Sequence, residues 1–362
     1  MAAAVRLQDE LHPPQNSEDC PICLETIKHV NCMTIVRLFC CGGLICKQCS
    51  DERAAKYKSE KNDDMYRGKC PLCREKMPRE DDSKEIGTML LKHANKGRAW
   101  AQAYVGTWYW NGMNGFALDK QKGLKLIKDS ADQRDPDGLF EMAMIYLRGE
   151  ILDRHELKYE SKHLHYLKEA ADLGHGSAQR MLGVSYKECN NENEHLHYTT
   201  LAASQGDFEA CGKLGAYFIN AGCSLTKSLV LAKHYSEKNA EDELSAYIFS
   251  LALFQLSNER YEGFLGIPGH SPIPTILFWA RKAQESELLP IQGEATELIS
   301  MVENKAKSHC ANCRKEAEGS SFMRCVRCLG AWYCGKECQV QHWKAGHKID
   351  CTERHQLIQR QR

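Results

Sequence analysis

The sequence predicts a mainly α-helical protein: a long middle of paired helices with a small cysteine-rich domain at each end. Three observations carry this. Nine of the 19 cysteines fall between Cys20 and Cys73, eight of them in pairs and Cys32 alone, and seven more between Cys310 and Cys351, leaving only Cys189, Cys211 and Cys223. From about Lys84 to Lys307 cysteine nearly vanishes and apolar residues recur at helical spacing. Within that middle, one segment repeats.

At 362 residues the chain has room for two or three domains. Its 43% hydrophobic and 27% charged content describes a folded, soluble protein. Lys plus Arg balance Asp plus Glu at 48 each, so no global field draws in nucleic acid or an anionic membrane. No apolar run reaches the ~18–20 residues of a membrane-spanning helix. Residues 1–16 are short, mixed and contain Pro13-Pro14, and read as a disordered leader without the apolar core of a signal peptide. A cytoplasmic or nuclear address is the expectation, and a reducing compartment keeps the thiols free for metal. Cys32, Cys189, Cys211 and Cys223, which belong to no pair, read as small buried hydrophobes.

The first cysteine-rich stretch, placed over 17–80, is spaced Cys20-x2-Cys23, Cys40-Cys41, Cys46-x2-Cys49 and Cys70-x2-Cys73. A Cys-x2-Cys knuckle presents two thiolates from one tight turn, and zinc takes four ligands tetrahedrally. Eight ligands suffice for two closed sites. A disulfide framework would use the same count, but the spacing favours metal. Cys40 and Cys41 are adjacent, and neighbours in an extended segment point opposite ways. Gly42-Gly43 can supply the kink that lets both reach one ion. Cys32 is the reserve ligand. The segment after Cys49 reads as a short helix followed by a loop.

The ligand order resembles a RING finger, the zinc module of many ubiquitin ligases. The resemblance implies interleaved sites: Cys20, Cys23, Cys46 and Cys49 on one ion, Cys40, Cys41, Cys70 and Cys73 on the other. The family usually has a separated Cys and His where this chain has Cys40-Cys41. The resemblance also puts contacts to a ubiquitin-conjugating (E2) enzyme on Ile22, Pro71 and Leu72. It puts the cation that bridges conjugating enzyme and ubiquitin on Arg74, whose planar fork can donate to two partners at once. The bland alternative for Arg74 is a solvated surface charge. Many active members carry a Trp in the helix after the sixth ligand; Ser50 to Lys69 has none, and Tyr57 is the nearest aromatic substitute.

A charged linker (79–83) leads into the repeats, placed over 84–307. AQAYVGTWYWNG (101–112) realigns with segments starting at Gly138, Ala178 and Ala210, and more weakly at Ala246. The spacings are 37, 40, 32 and 36 residues. Each unit continues into a second helix ending in small residues and a polar Gly turn, as in KEAADLGHG (168–176) and TLAASQGDF (200–208). Small residues let paired helices approach closely, and Tyr109, Tyr146, Tyr186 and Tyr217 are expected to fill the gaps between units. That is the logic of an α-solenoid. The pattern resembles Sel1-like repeats, relatives of the tetratricopeptide repeat whose rigid 34-residue period is not kept here. Pro274 and Pro290 suit the first turns of the last two helices.

The C-terminal stretch, placed over 308–353 with a tail at 354–362, offers Cys310, Cys313, Cys325, Cys328, Cys334, Cys338, His347 and Cys351. Eight ligands again suit two zinc ions, making four per chain. The spacing excludes a DNA-reading Cys2His2 finger, because only three residues separate Cys338 from His342. WYCGKECQVQHWKAGHKIDC closely resembles a MYND finger. The resemblance implies one site of Cys310, Cys313, Cys334 and Cys338, and another of Cys325, Cys328, His347 and Cys351. His342 is the rival ligand, and the family pattern selects His347. MYND fingers commonly bind proline-containing peptides, which points to Gln339 and Trp343. A Trp beside a rigid scaffold can dock an extended peptide; alternatively, Trp343 only packs over the zinc cluster.

Closed protein shells leave no open coordination position, which argues against zinc hydrolysis. The sequence shows no Ser-His-Asp signature, P-loop or Rossmann glycine run, nor the SET features of methyltransferase MYND proteins. The leading expectation is a RING-type ubiquitin ligase that promotes transfer by orientation, its helical repeats and MYND finger recruiting a protein substrate or adaptor. A non-catalytic interaction scaffold, possible also as a transcriptional cofactor, is the alternative. Chelation is expected to unfold the two ends and spare the helices.

Overall fold

Each copy of the repeated segment folds as the first helix of a helical hairpin, because its apolar residues fall at helical spacing and its small residues admit a partner helix. The computed structural model describes residues 18–27, 34–59, 69–77, 83–149, 159–259, 272–317, 322–348 and 351. The expected leader, Cys32, the Tyr57 side chain, most of the 79–83 linker and the 354–362 tail lie outside the described residues.

Two short hairpins open the chain. β1 (Glu18–Asp19) pairs antiparallel with β2 (Thr26–Ile27), and β3 (Ile35–Arg37) with β4 (Leu44–Cys46). Helix α1 (Lys47–Ser59) follows, matching the short helix expected after Cys49. The repeats begin with α2 (Ser83–Ala94), α3 (Ala99–Asn111) and α4 (Lys120–Asp132). They continue as α5 (Pro136–Leu147), α6 (Tyr159–Asp172), α7 (Gly176–Glu188) and α8 (Glu192–Ser204). Then come α9 (Phe208–Asn220), α10 (Leu229–Lys238), α11 (Glu243–Glu259), α12 (Ile273–Gln284) and α13 (Leu289–Lys307). β5 (Met323–Arg324) pairs antiparallel with β6 (Trp332–Tyr333), and α14 (Lys336–His342) runs into a wide turn over Trp343–His347.

Helices pack on their sequence neighbours in two runs, α2 to α8 and α9 to α13, as in a solenoid. The chain divides into two compact units, one ending at Asp207 and the other beginning at Phe208. Each unit therefore joins a cysteine-rich module to a run of helices. No described helix is long and apolar enough to cross a membrane.

Capping residues set several helix starts. Asp119, Asp135, His175, Asn191 and Ser228 each accept a hydrogen bond from the backbone N–H three residues on. Pro274 and Pro290 lie in the first turns of α12 and α13, where a missing N–H costs nothing.

The aromatic positions need a correction. Tyr146 stacks on Tyr166, and Tyr186 on Tyr198, with ring centres 5.6 and 5.7 Å apart. Both pairs lie inside a hairpin rather than between units. In the fourth copy the stacked pair is Phe218 and Tyr235, at 5.7 Å, so Phe218 and not Tyr217 holds the equivalent place. It is the ninth residue of its segment, as Tyr109, Tyr146 and Tyr186 are of theirs.

Small residues act where helices meet. A Cβ on Gly123 of α4 would lie 2.7 Å from the Trp110 backbone nitrogen and 2.8 Å from the Gly106 carbonyl oxygen of α3. Both obstacles are backbone, so only helix separation relieves the clash. Gly123→Ala should therefore destabilise this unit by about 1–3 kcal/mol, despite alanine's ~1 kcal/mol advantage in helices. Urea unfolding measures this, and a more stable variant would refute the close contact.

Candidate metal centres and docking surfaces

Four of the five Cys-x2-Cys segments fold into the same turn. The residue after the second cysteine donates its N–H to the carbonyl of the first: Leu24 to Cys20 at 2.8 Å, Arg74 to Cys70 at 3.0 Å, Arg314 to Cys310 at 3.0 Å and Leu329 to Cys325 at 2.9 Å. All four of these residues take a left-handed φ, between 52° and 64°. The turn points both sulfurs of each pair inward. The fifth segment, Cys46-x2-Cys49, runs from the end of β4 into α1.

The cysteines gather into four clusters. They are Cys20, Cys23, Cys46 and Cys49; Cys40, Cys41, Cys70 and Cys73; Cys310, Cys313, Cys334 and Cys338; and Cys325, Cys328, His347 and Cys351. Within each, the four donor atoms lie within 4.8 Å of one another. Cys40 and Cys41 reach one cluster because they sit in the turn between β3 and β4, where Gly42 has φ 78°. Cys41 and Gly42 donate N–H to the Leu38 carbonyl, at 3.3 and 2.7 Å. The opposed directions of an extended segment do not apply there.

The donor sets fit zinc. Tetrahedral zinc with Zn–S near 2.3 Å separates two sulfurs by about 3.8 Å, and a sulfur from an imidazole nitrogen by about 3.6 Å. Cys23–Cys46 and Cys41–Cys70 are both 3.8 Å, Cys313–Cys334 is 3.7 Å and Cys325–Cys351 is 3.9 Å. His347 Nε2 lies 3.5 Å from Cys325 Sγ and 3.6 Å from Cys328 Sγ. Disulfides require about 2.0 Å, and the described cysteines are free. Each cluster can hold one zinc ion. Its role there is structural, because four protein ligands fill the shell.

Backbone amides favour the thiolate at the first cysteine of three knuckles, while burial and the neighbouring Cys70 sulfur push the Cys41 thiol up. Burial alone would raise the Cys20 thiol, but N–H groups of Cys46, Cys23 and Ile22 bring it down to about 6. Cys70 is likewise buried, yet the Cys73 and Leu72 amides bring it to about 7. Cys310 falls to about 6 against its own burial, through the amides of Cys313, Cys334 and Asn312. His342, the rival ligand, sits outside the fourth cluster: its Nδ1 lies 3.0 Å from the Tyr333 hydroxyl.

The other predicted site residues lie around these clusters. Ile22 and Leu72 are 44% and 36% exposed, and Pro71 and Arg74 are also exposed. Leu72 lies over Gly43, where a Cβ would come within 2.5 Å of its Cδ1. Among the described residues Arg74 has no ion pair. Gln339 is half-buried on α14. Trp343 is half-buried too, its ring centre 6.0 Å from that of His347, with the Arg327 guanidinium 5.6 Å from the ring centre. Sequence reading passed over Leu24, which is 78% exposed at a left-handed position. An exposed leucine at a strained φ was unreadable until the turn was seen.

Residues 310–351 match the family model of the MYND finger. Among curated proteins, ubiquitin carboxyl-terminal hydrolase 15 of Arabidopsis thaliana is 34% identical over 55 residues, 15% of this chain and 6% of that protein. Ubiquitin C-terminal hydrolase 15 of Oryza sativa subsp. japonica is 41% identical over 44 residues, 12% of this chain and 4% of that protein. The chain thus spans only a small fraction of the curated relatives it matches. Among solved structures, a Sel1 repeat protein from Oxalobacter formigenes aligns with 62% of this chain and 80% of its own, at 19% identity and a TM-score of 0.39. The c5321 protective antigen of uropathogenic Escherichia coli, with an SLR fold, aligns with 76% of this chain and 51% of its own, at 20% identity and a TM-score of 0.40. The solenoid reading stands on this chain's own helix order and repeats. The chain thus carries a MYND finger and four clusters that can each hold zinc, beside a helical solenoid.

Proposed function

We propose that the N-terminal module is a RING-type finger and that the chain is a ubiquitin ligase of that class. It holds a ubiquitin-charged conjugating enzyme in a reactive pose, while the repeats and the MYND finger recruit a protein substrate or adaptor. The observation that supports this reading is the exposure of all four residues on the two knuckle turns. Ile22, Pro71 and Leu72 leave apolar surface in water, and Arg74 stands beside them without an ion pair among the described residues. Autoubiquitination with a panel of conjugating enzymes tests the reading. Chain formation with at least one is expected, and none with any would refute it.

A second reading, a non-catalytic scaffold, draws on α1. Lys47–Ser59 contains no Trp, and Tyr57 is its one aromatic, so an aromatic wall for the conjugating enzyme is reduced. In both readings the setting is the cytoplasm or nucleus, where thiols stay reduced.

At the C-terminal finger, Gln339 and Trp343 are proposed to take a proline-rich peptide. Trp343→Ala should cost about 2 kcal/mol of peptide affinity, roughly 30-fold, with zinc content unchanged. Titration against a hit from a proline-rich peptide array measures it. Loss of zinc in the variant would make Trp343 part of the metal centre's packing instead.

A further inference from the structure

The C-terminal finger is joined to α13 by only two residues, because α13 ends at Lys307 and Cys310 is the first ligand. So short a link leaves little room to swing. Two-residue β6 then faces both ways, since neighbours on a strand point to opposite sides. Trp332 is 4% exposed and packs with Phe249, Leu253, Ile276 and Leu298 of α11 to α13. Tyr333 is fully buried on the other side, among Cys310, Cys325, Cys328 and Cys351. Phe322 touches both groups.

Polar contacts bind the same seam. Glu303 of α13 accepts from Arg281 of α12 at 2.9 Å and from Arg324 of β5 at 2.7 Å. Arg324 directly precedes the ligand Cys325, and its guanidinium lies 4.8 Å from the Trp332 ring centre. Burial pulls the Glu303 carboxyl up, yet the two arginines hold it below its ordinary value. Gly330 is pressed so close to α12 that a Cβ would lie 2.7 Å from the Pro274 Cα. A solenoid's last unit otherwise leaves its apolar face in water and needs a cap.

We propose that the C-terminal finger is this cap, so that zinc binding in the finger and the folding of α12 and α13 are linked. The inference is independent of any ligase activity. It replaces the expectation that chelation spares the helices: in this unit, metal loss withdraws Trp332 and Arg324 from the seam and loosens the last repeat. A partner that docks on the last repeat would then bind only the metallated protein.

Hydrogen exchange of the full-length, zinc-loaded protein tests this peptide by peptide. Chelation strips every cluster, so Cys328→Ser supplies the selective case. Its finger amides should exchange freely, and those of α12 and α13 at least tenfold faster than in the parent. Free exchange in the finger with parental protection in α12 and α13 would overturn the proposal. Trp332→Ala, which changes no ligand, approaches from the seam. Protection in α12 and α13 should fall and zinc should leave the finger faster than in the parent; undiminished protection, or lost protection with parental zinc release, would overturn the linkage. Coupling is reciprocal, so Glu303→Gln should hand zinc to a chelating dye several-fold faster than the parent; an equal rate counts against it.

Discussion

Cys46→Ser is expected to remove one of four zinc ions and to unfold the N-terminal module locally. Cys46 closes β4, and its sulfur lies 3.8 Å from that of Cys23. Its backbone N–H also donates to Cys20 Sγ at 3.4 Å, and its sulfur accepts from the Cys49 N–H at 3.3 Å. Serine leaves three thiols to share one ion. The module's apolar cluster is small, built on Ile27, Leu38 and Ile45 around the cysteines, so metal supplies much of its stability. Structural zinc in finger peptides contributes about 10–16 kcal/mol of apparent binding energy at neutral pH. Native mass spectrometry should read four zinc ions in the parent and three in the variant. A parent holding two or fewer would remove one of the modules.

Arg74→Ala is expected to cut ubiquitin discharge about a hundredfold, the scale on which loss of orientation slows a transfer step, while zinc content and conjugating-enzyme binding stay near parental. The residue sits after the eighth ligand and outside the metal shell, which is why folding should survive. Arg74→Gly is the sharper control, since glycine favours the left-handed φ of 64° found there. It should fold at least as well as the parent and be as slow as the alanine variant. Ile22→Ala should act differently, weakening conjugating-enzyme binding itself by up to about 1.5–3 kcal/mol, the value of burying such a side chain. Single-turnover discharge from a charged conjugating enzyme separates the two steps. Parental discharge by Arg74→Ala would make Arg74 a solvated charge.

The sequence by itself determined the ligand chemistry and the helical repeats. Cys-x2-Cys spacing is local, and one turn brings both sulfurs to one side whatever surrounds it. The repeat was legible for a similar reason: alanine or glycine at the first position and an aromatic at the ninth recur because each hairpin solves the same packing problem. Where copies drift, local reading slips by one residue, as it did from Phe218 to Tyr217. Only the tertiary structure decided what depends on distant segments. It placed Cys40 and Cys41 together in a hairpin turn, whereas His347, which the family pattern already selected over His342, lies beside Cys325 and Cys328 as expected. It also joined each cysteine-rich module to helices. His93 Nε2 lies 3.1 Å from the Cys40 carbonyl oxygen, Arg98 donates to that of Cys41 at 3.0 Å, and Trp332 buries itself among α11 to α13. Spacing within a turn is written in consecutive residues, whereas a seam between a finger and a helix is made by side chains far apart in the chain, whose meeting no local pattern encodes.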